Sequence, residues 1–127
     1  MKHLFGKKGL VMGVANERSI AWGIARALSD AGAELAFTYQ GDAFGQRLKP
    51  LAASIGSEFM VEVDVTDDLA LDKAFRELTK RWKTLDFVVH AIAFSDKSEL
   101  TGRFINTSRA NFKNSLDIST YSLIEVA

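Results

Sequence analysis

The sequence predicts an α/β fold: a Rossmann-like, doubly wound parallel sheet in strand order 3-2-1-4. Three observations lead there. Four short apolar runs alternate with longer segments of helical period. The spacing between runs is too great for hairpins and suits the helical crossovers that parallel strands require. The first run ends in glycine and a polar loop before a serine opens a helical segment, which is the strand-turn-helix order of a nucleotide-binding half-fold.

Strand one runs roughly from Gly9 to Gly13. Helix one follows from about Ile20 to Ala31, with Ile20, Ile24, Ala27, Leu28 and Ala31 on one face and Gly32 at the left-handed position past its end. Strand two is Glu34 to Tyr39. A second helix spans about Phe44 to Ile55 and is ended by Gly56; Pro50 inside it predicts a kink or a late start. Strand three is Glu58 to Val63. Thr66 or Asp67 caps a third helix with Leu71, Ala74, Phe75, Leu78 and Trp82 on its apolar face. Strand four is Phe87 to Ile92, and a loop through Gly102 leads to a last helix starting near Thr107 or Ser108. Right-handed crossovers convert this string into the order 3-2-1-4.

Composition narrows the partners. The 127 residues contain no repeat, low-complexity tract or linker, so they read as one dinucleotide-binding domain, 1–127. Sixteen Lys and Arg balance sixteen Asp and Glu, which gives no electrostatic footprint for nucleic acid or an acidic membrane surface. There is no cysteine and there are only two histidines, so neither disulfides nor a protein metal site is expected. The N-terminus lacks a secretory h-region, and no apolar stretch approaches the length of a membrane span. A cytoplasmic setting is expected.

In such sheets ligands lie outside the carboxyl ends of the strands, so the residues just after each strand matter most. Gly13 alone fits an ordinary turn as well as a close backbone approach; the residues downstream of it favour the approach. Ser19 is a helix N-cap whose hydroxyl can serve the helix or a phosphate, and the N–H of Ile20 points at whatever fills the turn. Gly23 is placed to let the helix press onto the sheet. The literal G-x-G-x-x-G is absent, with Ala15 at the middle position of a longer loop, and G-x-x-x-x-G-K-[ST] occurs nowhere.

Gln40, after strand two, reads either as a polar turn or as a partner for ribose hydroxyls. The adjoining Gly41-Asp42-Ala43-Phe44 has no cation for a 2′-phosphate, although Arg47 is near, so NADH is favoured over NADPH. Asp64 fits a turn aspartate and an acceptor for an adenine amino group equally, with the Val65 backbone beside it. Asp67 and Asp68 read as acids on a first helical turn. After strand four, Ala91 and Ala93 leave room for a flat ring. His90 lies in an apolar run and reads as a buried, satisfied histidine. Tyr39 and Tyr121 have no lysine close behind them and read as structural; Trp22 and Trp82 read as packing residues.

Taken together these segments resemble the NADH-dependent enoyl-acyl carrier protein reductases of bacterial type II fatty-acid synthesis, divergent short-chain dehydrogenase/reductases. The resemblance rests on GVANERSIAWGIA from Gly13, GAELAFTYQ from Gly32, Asp64-Val65, His90 to Phe94, and Asp117 to Ser122. It covers the whole chain but only about the first half of a family member. It implies that Gly13, Ala15, Ser19 and Ile20 line the pyrophosphate and nicotinamide side of NAD, Gln40 the adenosine ribose, and Asp64 and Val65 the adenine. Ala91, Ile92 and Ala93 would pass beneath the nicotinamide ribose, and Ser95 would face the acyl substrate. Ala93 and Ser95 depart from the glycine and the small apolar residue that are common there.

The resemblance further implies hydride delivery to the β-carbon of a trans-2-enoyl thioester carried on acyl carrier protein, and a homotetramer for a full-length member. The family's catalytic tyrosine and lysine follow a fifth strand, so no catalytic residue is expected before Ala127. On this reading the chain alone is inactive and strand four is left an open edge. The alternatives are a short-chain dehydrogenase acting on a carbonyl and a non-catalytic dinucleotide-binding module. A downstream tyrosine and lysine separated by six residues would favour the enoyl reductase; a separation of three would favour the carbonyl enzyme.

Overall fold

The two inner strands of the sheet are the most deeply buried. β1 (Lys8–Met12) is buried from Gly9 onward because it is flanked on both sides, by β2 (Glu34–Tyr39) and by β4 (Phe87–His90). β3 (Met60–Glu62) pairs outside β2, so the sheet is wholly parallel in the order β3-β2-β1-β4, as expected. The computed structural model describes residues 2–127 and divides them into two units, one ending at Ala91 and the other spanning Ile92–Ala127.

In the first unit α1 (Ile20–Asp30), α2 (Asp42–Ser54) and α3 (Asp68–Arg81) make the crossovers. The connections β1-α1-β2 and β2-α2-β3 step one way along the sheet, whereas β3-α3-β4 steps back across it. With right-handed crossovers α1 and α2 therefore lie on one face and α3 on the other. One core cluster joins Val11, Leu35 and Phe37 of the sheet to Ala21, Trp22 and Ala25 of α1 and to Leu48 and Ala52 of α2. Residues pointing away from that cluster, Leu10, Met12 and Ala36, are also at most 1% exposed. Burial of each large side chain here stabilises the unit by roughly 1.5–3 kcal/mol.

Several expectations are corrected. The inward face of α1 is Ala21, Trp22 and Ala25, while Ile20 is 82% exposed and Ile24 37% exposed. Small residues let the helix approach the sheet, and Trp22 fills the remaining space against Phe37, ring centroids 6.4 Å apart. A Cβ on Gly23 would meet nothing within 4 Å, so this glycine does not serve helix–sheet packing. α2 starts early, at Asp42, and runs through Pro50. Both Pro50 and Gln46, whose carbonyl loses its donor, are on the exposed side, where water can replace the bond. β3 is shorter than its apolar run, although Phe59 O and Val63 N still bond to β2. Gly32 and Gly56 end α1 and α2 at φ 100° and 78°, and Asp67 caps α3 by accepting from Leu69 N and Ala70 N.

The second unit holds α4 (Arg109–Leu116), a π turn (Asp117–Tyr121) and α5 (Ser122–Val126), preceded by short 3₁₀ turns at Lys97–Glu99 and Phe104–Asn106. α4 starts just after the expected Thr107 or Ser108, and Ser108 is its N-cap, the hydroxyl accepting from Asn111 N at 3.0 Å. Phe104, Ile105, Phe112, Leu116, Leu123 and Ile124 are exposed.

Candidate functional site

The loop between β1 and α1 is closed by its own serine. Ser19 stands at the N-cap in extended conformation, yet its hydroxyl makes no bond to the helix. Instead its Oγ accepts from Ala15 N at 2.9 Å and from Asn16 N at 3.0 Å. Asn16 returns the tie by accepting from Ser19 N through its carbonyl and from Arg18 N through its side chain. The serine hydroxyl thus shapes the loop, a correction to its expected capping role. The N–H groups of Ile20 and Ala21 have no acceptor within their own helix and are not capped by this side chain. Together with the positive end of the helix dipole they favour an anion. Beside them the Ile20 side chain stands 82% exposed, an apolar surface next to a polar one.

Gly13 has a structural duty as well. Its φ is 108°, and a Cβ there would lie 2.0 Å from the Ala91 carbonyl oxygen. The ends of β1 and β4 are packed backbone to backbone, and Ala91 N donates to Met12 O at 3.0 Å. Glycine is required here whether or not a ligand is present.

At the ends of β2 and β3 the two expected adenosine-side residues are joined: Gln40 Nε2 donates to Asp64 Oδ2 at 3.2 Å. The other oxygen, Oδ1, accepts from Thr66 N at 2.9 Å and from Thr66 Oγ1 at 2.7 Å. Asp64 is therefore both the turn aspartate and a pre-oriented acceptor with lone pairs to spare. Val65 beside it is buried. Asp42 opens α2 just beyond Gln40, and Arg47 lies over the Phe44 ring at 5.7 Å. Gly13, Ala15, Ser19, Ile20, Gln40, Asp64, Val65 and Ala91 all stand at or just past the carboxyl ends of one parallel sheet.

Ile92, Ala93 and Ser95 belong to the second unit. Ile92 is half-buried and Ala93 exposed. Ser95 Oγ accepts from Asn111 Nδ2 at 3.1 Å, and Asn111 Oδ1 accepts from Asp96 N at 2.8 Å. Ser119, in the π turn, accepts from Phe94 N at 3.0 Å and donates to Phe94 O at 3.3 Å. Eight residues of α-helix would turn Asn111 and Ser119 about 80° apart; the wider winding of the π turn takes up part of that offset. Glu99 accepts from both Ser108 N and Ser108 Oγ. Sequence reasoning missed Asn111, Ser119 and Glu99. A polar residue three positions after the Ser108 cap is the one local signal that pointed at Asn111.

Of the remaining residues, Tyr39 packs on α2 at Gly45, and Tyr121 donates to Glu125 Oε1 at 2.7 Å. His90 is half-buried at the end of β4. Two open clefts of about 510 and 330 Å³, both lined by Phe59 and Arg81, contain none of these strand-end residues. Among the described residues no cluster of His, Cys, Asp or Glu could hold a metal, and no helix is long and apolar enough to cross a membrane.

A family model described as enoyl-(acyl carrier protein) reductase matches residues 13–127. Enoyl-[acyl-carrier-protein] reductase [NADH] 1 of Rhizobium meliloti is 57% identical over 122 residues, 96% of this chain and 45% of that protein. An enoyl-(acyl-carrier-protein) reductase structure from Anaplasma phagocytophilum in complex with NAD is similar at TM-score 0.93 and 50% identity, covering 97% of this chain and 47% of the other. The Bacillus cereus enoyl-acyl carrier protein reductase with NADP+ and indole naphthyridinone is similar at TM-score 0.95 and 43% identity, covering 100% and 50%. The chain spans about half the length of the relatives it matches.

Proposed function

The chain belongs to the enoyl-(acyl carrier protein) reductase family, and on that premise we propose that it supplies the NADH-binding half of an enzyme that reduces the trans-2 double bond of enoyl-acyl carrier protein. The observation that carries the proposal is the Ser19 hydroxyl. It accepts from Ala15 N and Asn16 N and so fixes the loop, while the first-turn N–H groups stay uncapped by it and suit the cofactor pyrophosphate.

The strand ends suit the rest of a dinucleotide. Gln40 and Asp64, already bonded to one another, offer donor and acceptor groups to ribose and adenine, with Val65 as an apolar neighbour. Asp42 puts a negative charge two residues past Gln40, and Arg47 lies over the Phe44 ring, which together support NADH over NADPH. Ala91, Ile92 and Ala93 are assigned to the nicotinamide ribose and Ser95 to the acyl substrate, on the strength of the family resemblance. When bound, the nicotinamide supplies a hydride to the substrate β-carbon. This chain's own residues bind and orient it; Tyr39 and Tyr121 are engaged in packing and in a bond to Glu125. The catalytic tyrosine and lysine are assigned to the half of the enzyme that these residues do not span. A cytoplasmic homo-oligomer is part of the same proposal; the exposed apolar residues of α4 and α5 support the association.

The test is a titration of NADH and NADPH into the full-length protein, followed by reduction of a crotonyl thioester. NADH is expected to bind more tightly and to be consumed, whereas the 127-residue chain alone is expected to show no turnover above background. Preference for NADPH, reduction of a carbonyl in place of the enoyl bond, or turnover by the isolated chain that survives repurification would each overturn the corresponding part.

A further inference from the structure

Asn111 is 9% exposed, and its primary amide is not idle. One edge accepts from the Asp96 backbone N–H at 2.8 Å and from Ser115 Oγ at 3.4 Å; the other donates to Ser95 Oγ at 3.1 Å. A buried amide is tolerated when both edges are satisfied, and here two of those bonds go to one short segment, Ser95-Asp96. That segment leaves β4 at its carboxyl end, the end where ligands of parallel sheets bind. The root of α4 is itself fixed: Ser108 caps it, and Glu99 accepts from Ser108 N at 2.6 Å and from Ser108 Oγ at 2.7 Å.

The direction of the Ser95 bond has a chemical consequence. Asn111 is the donor and Ser95 oxygen the acceptor, so the serine proton is directed away from Asn111. It remains available to a carbonyl-bearing substrate. An aspartate at 111 would keep the acceptor for Asp96 N and lose the donor; an alanine would lose both.

We propose that Asn111 is a positioning residue for substrate: by holding the Ser95 hydroxyl and the Asp96 N–H in one orientation, it sets the affinity of the site for the enoyl thioester. This inference rests on the enoyl reductase function proposed for the chain and assigns a role to a residue that does not itself touch cofactor or substrate.

Steady-state kinetics on the full-length protein, with crotonyl thioester and NADH varied independently, test it. Asn111→Ala is expected to raise KM for the thioester about tenfold, with kcat and the KM for NADH changed less than about twofold. Asn111→Asp, whose carboxylate would draw the Ser95 proton to itself, and Ser95→Ala, which deletes the hydroxyl, are each expected to raise the thioester KM by about threefold, and their double variant no further, since both take the same serine proton from the substrate. If Asn111→Ala does not fold, these two variants carry the test. A proportional fall in kcat for both substrates, an unchanged thioester KM, or additive effects of Asn111→Asp and Ser95→Ala would overturn the positioning role alone. No enoyl reduction by the wild-type protein would instead overturn the proposed function, and this inference with it.

Discussion

Gly13→Ala separates two reasons for a glycine at the head of the loop. The new Cβ would stand 2.0 Å from the Ala91 carbonyl oxygen, roughly 1.5 Å inside ordinary contact distance. Holding alanine at φ 108° costs on the order of 1–3 kcal/mol. Moving Ala91 away weakens the 3.0 Å bond from its N–H to Met12 O, worth about 1 kcal/mol. The sum, about 2–4 kcal/mol, is a large part of the 5–15 kcal/mol typical of a folded domain. Gly56→Ala is the control: φ there is 78°, but a Cβ meets nothing within 4 Å, so only about 1–2 kcal/mol of backbone cost applies. Urea unfolding of the two full-length variants without cofactor, followed by far-UV circular dichroism, measures both. A cofactor-only role would leave Gly13→Ala no less stable than Gly56→Ala while weakening NADH binding. Apo stabilities within about 0.5 kcal/mol of each other would refute the Ala91 argument.

Ser19→Ala removes the acceptor of two loop N–H groups; NADH affinity is expected to fall about tenfold, read by fluorescence titration, with little loss of global stability. Asp67→Ala should do the reverse, lowering unfolding free energy by about 1 kcal/mol through the lost α3 cap and leaving NADH affinity unchanged. Asp86 is held below the usual carboxylate range, first by the Lys8 N–H at 2.8 Å, against some desolvation, and then by Lys7 at 3.3 Å. Its folded value lies below its unfolded one, so its stabilising contribution is complete above the ordinary range and is lost as pH falls through the folded value. Denaturation of Asp86→Asn across acidic pH should therefore converge on wild type as pH drops; a gap that widens toward acid would contradict the assignment.

The strand order was legible because four apolar runs at helix-length spacing call for right-handed parallel crossovers, and the glycine turn and serine after the first run point to the dinucleotide-binding order among the parallel ones. Gly32, Gly56 and Asp67 were legible because left-handed glycines and cap aspartates act through their immediate neighbours. The face of α1 was not. Periodicity weights Ile20 and Ile24 by size, but the sheet accepts Ala21 and Ala25 because only small residues permit close approach, and the two isoleucines are left exposed. Ser19 was identified at the right place with the wrong bond, since an N-cap hydroxyl and a loop-closing hydroxyl have the same local sequence. Asn111 and Ser119 reach residues 15 to 25 positions away, contacts that no local period encodes.

The strand order also imposes a timetable on the growing chain. β1 is one of the two inner strands, yet one of its neighbours is β4, and the Asp86 clamp on Lys8 closes a loop of 78 positions. During synthesis β1, β2 and β3 can dock with α1 and α2 while one edge of β1 stays bare. That edge is covered only after α3 and β4 have emerged, seconds later at about 5–20 residues per second. Loop closure of that length is slow relative to local helix formation. A three-stranded stage would leave Leu10, Val11 and Met12, all buried in the finished fold, on a border strand, which is the interval in which pairing with a second copy competes with correct assembly.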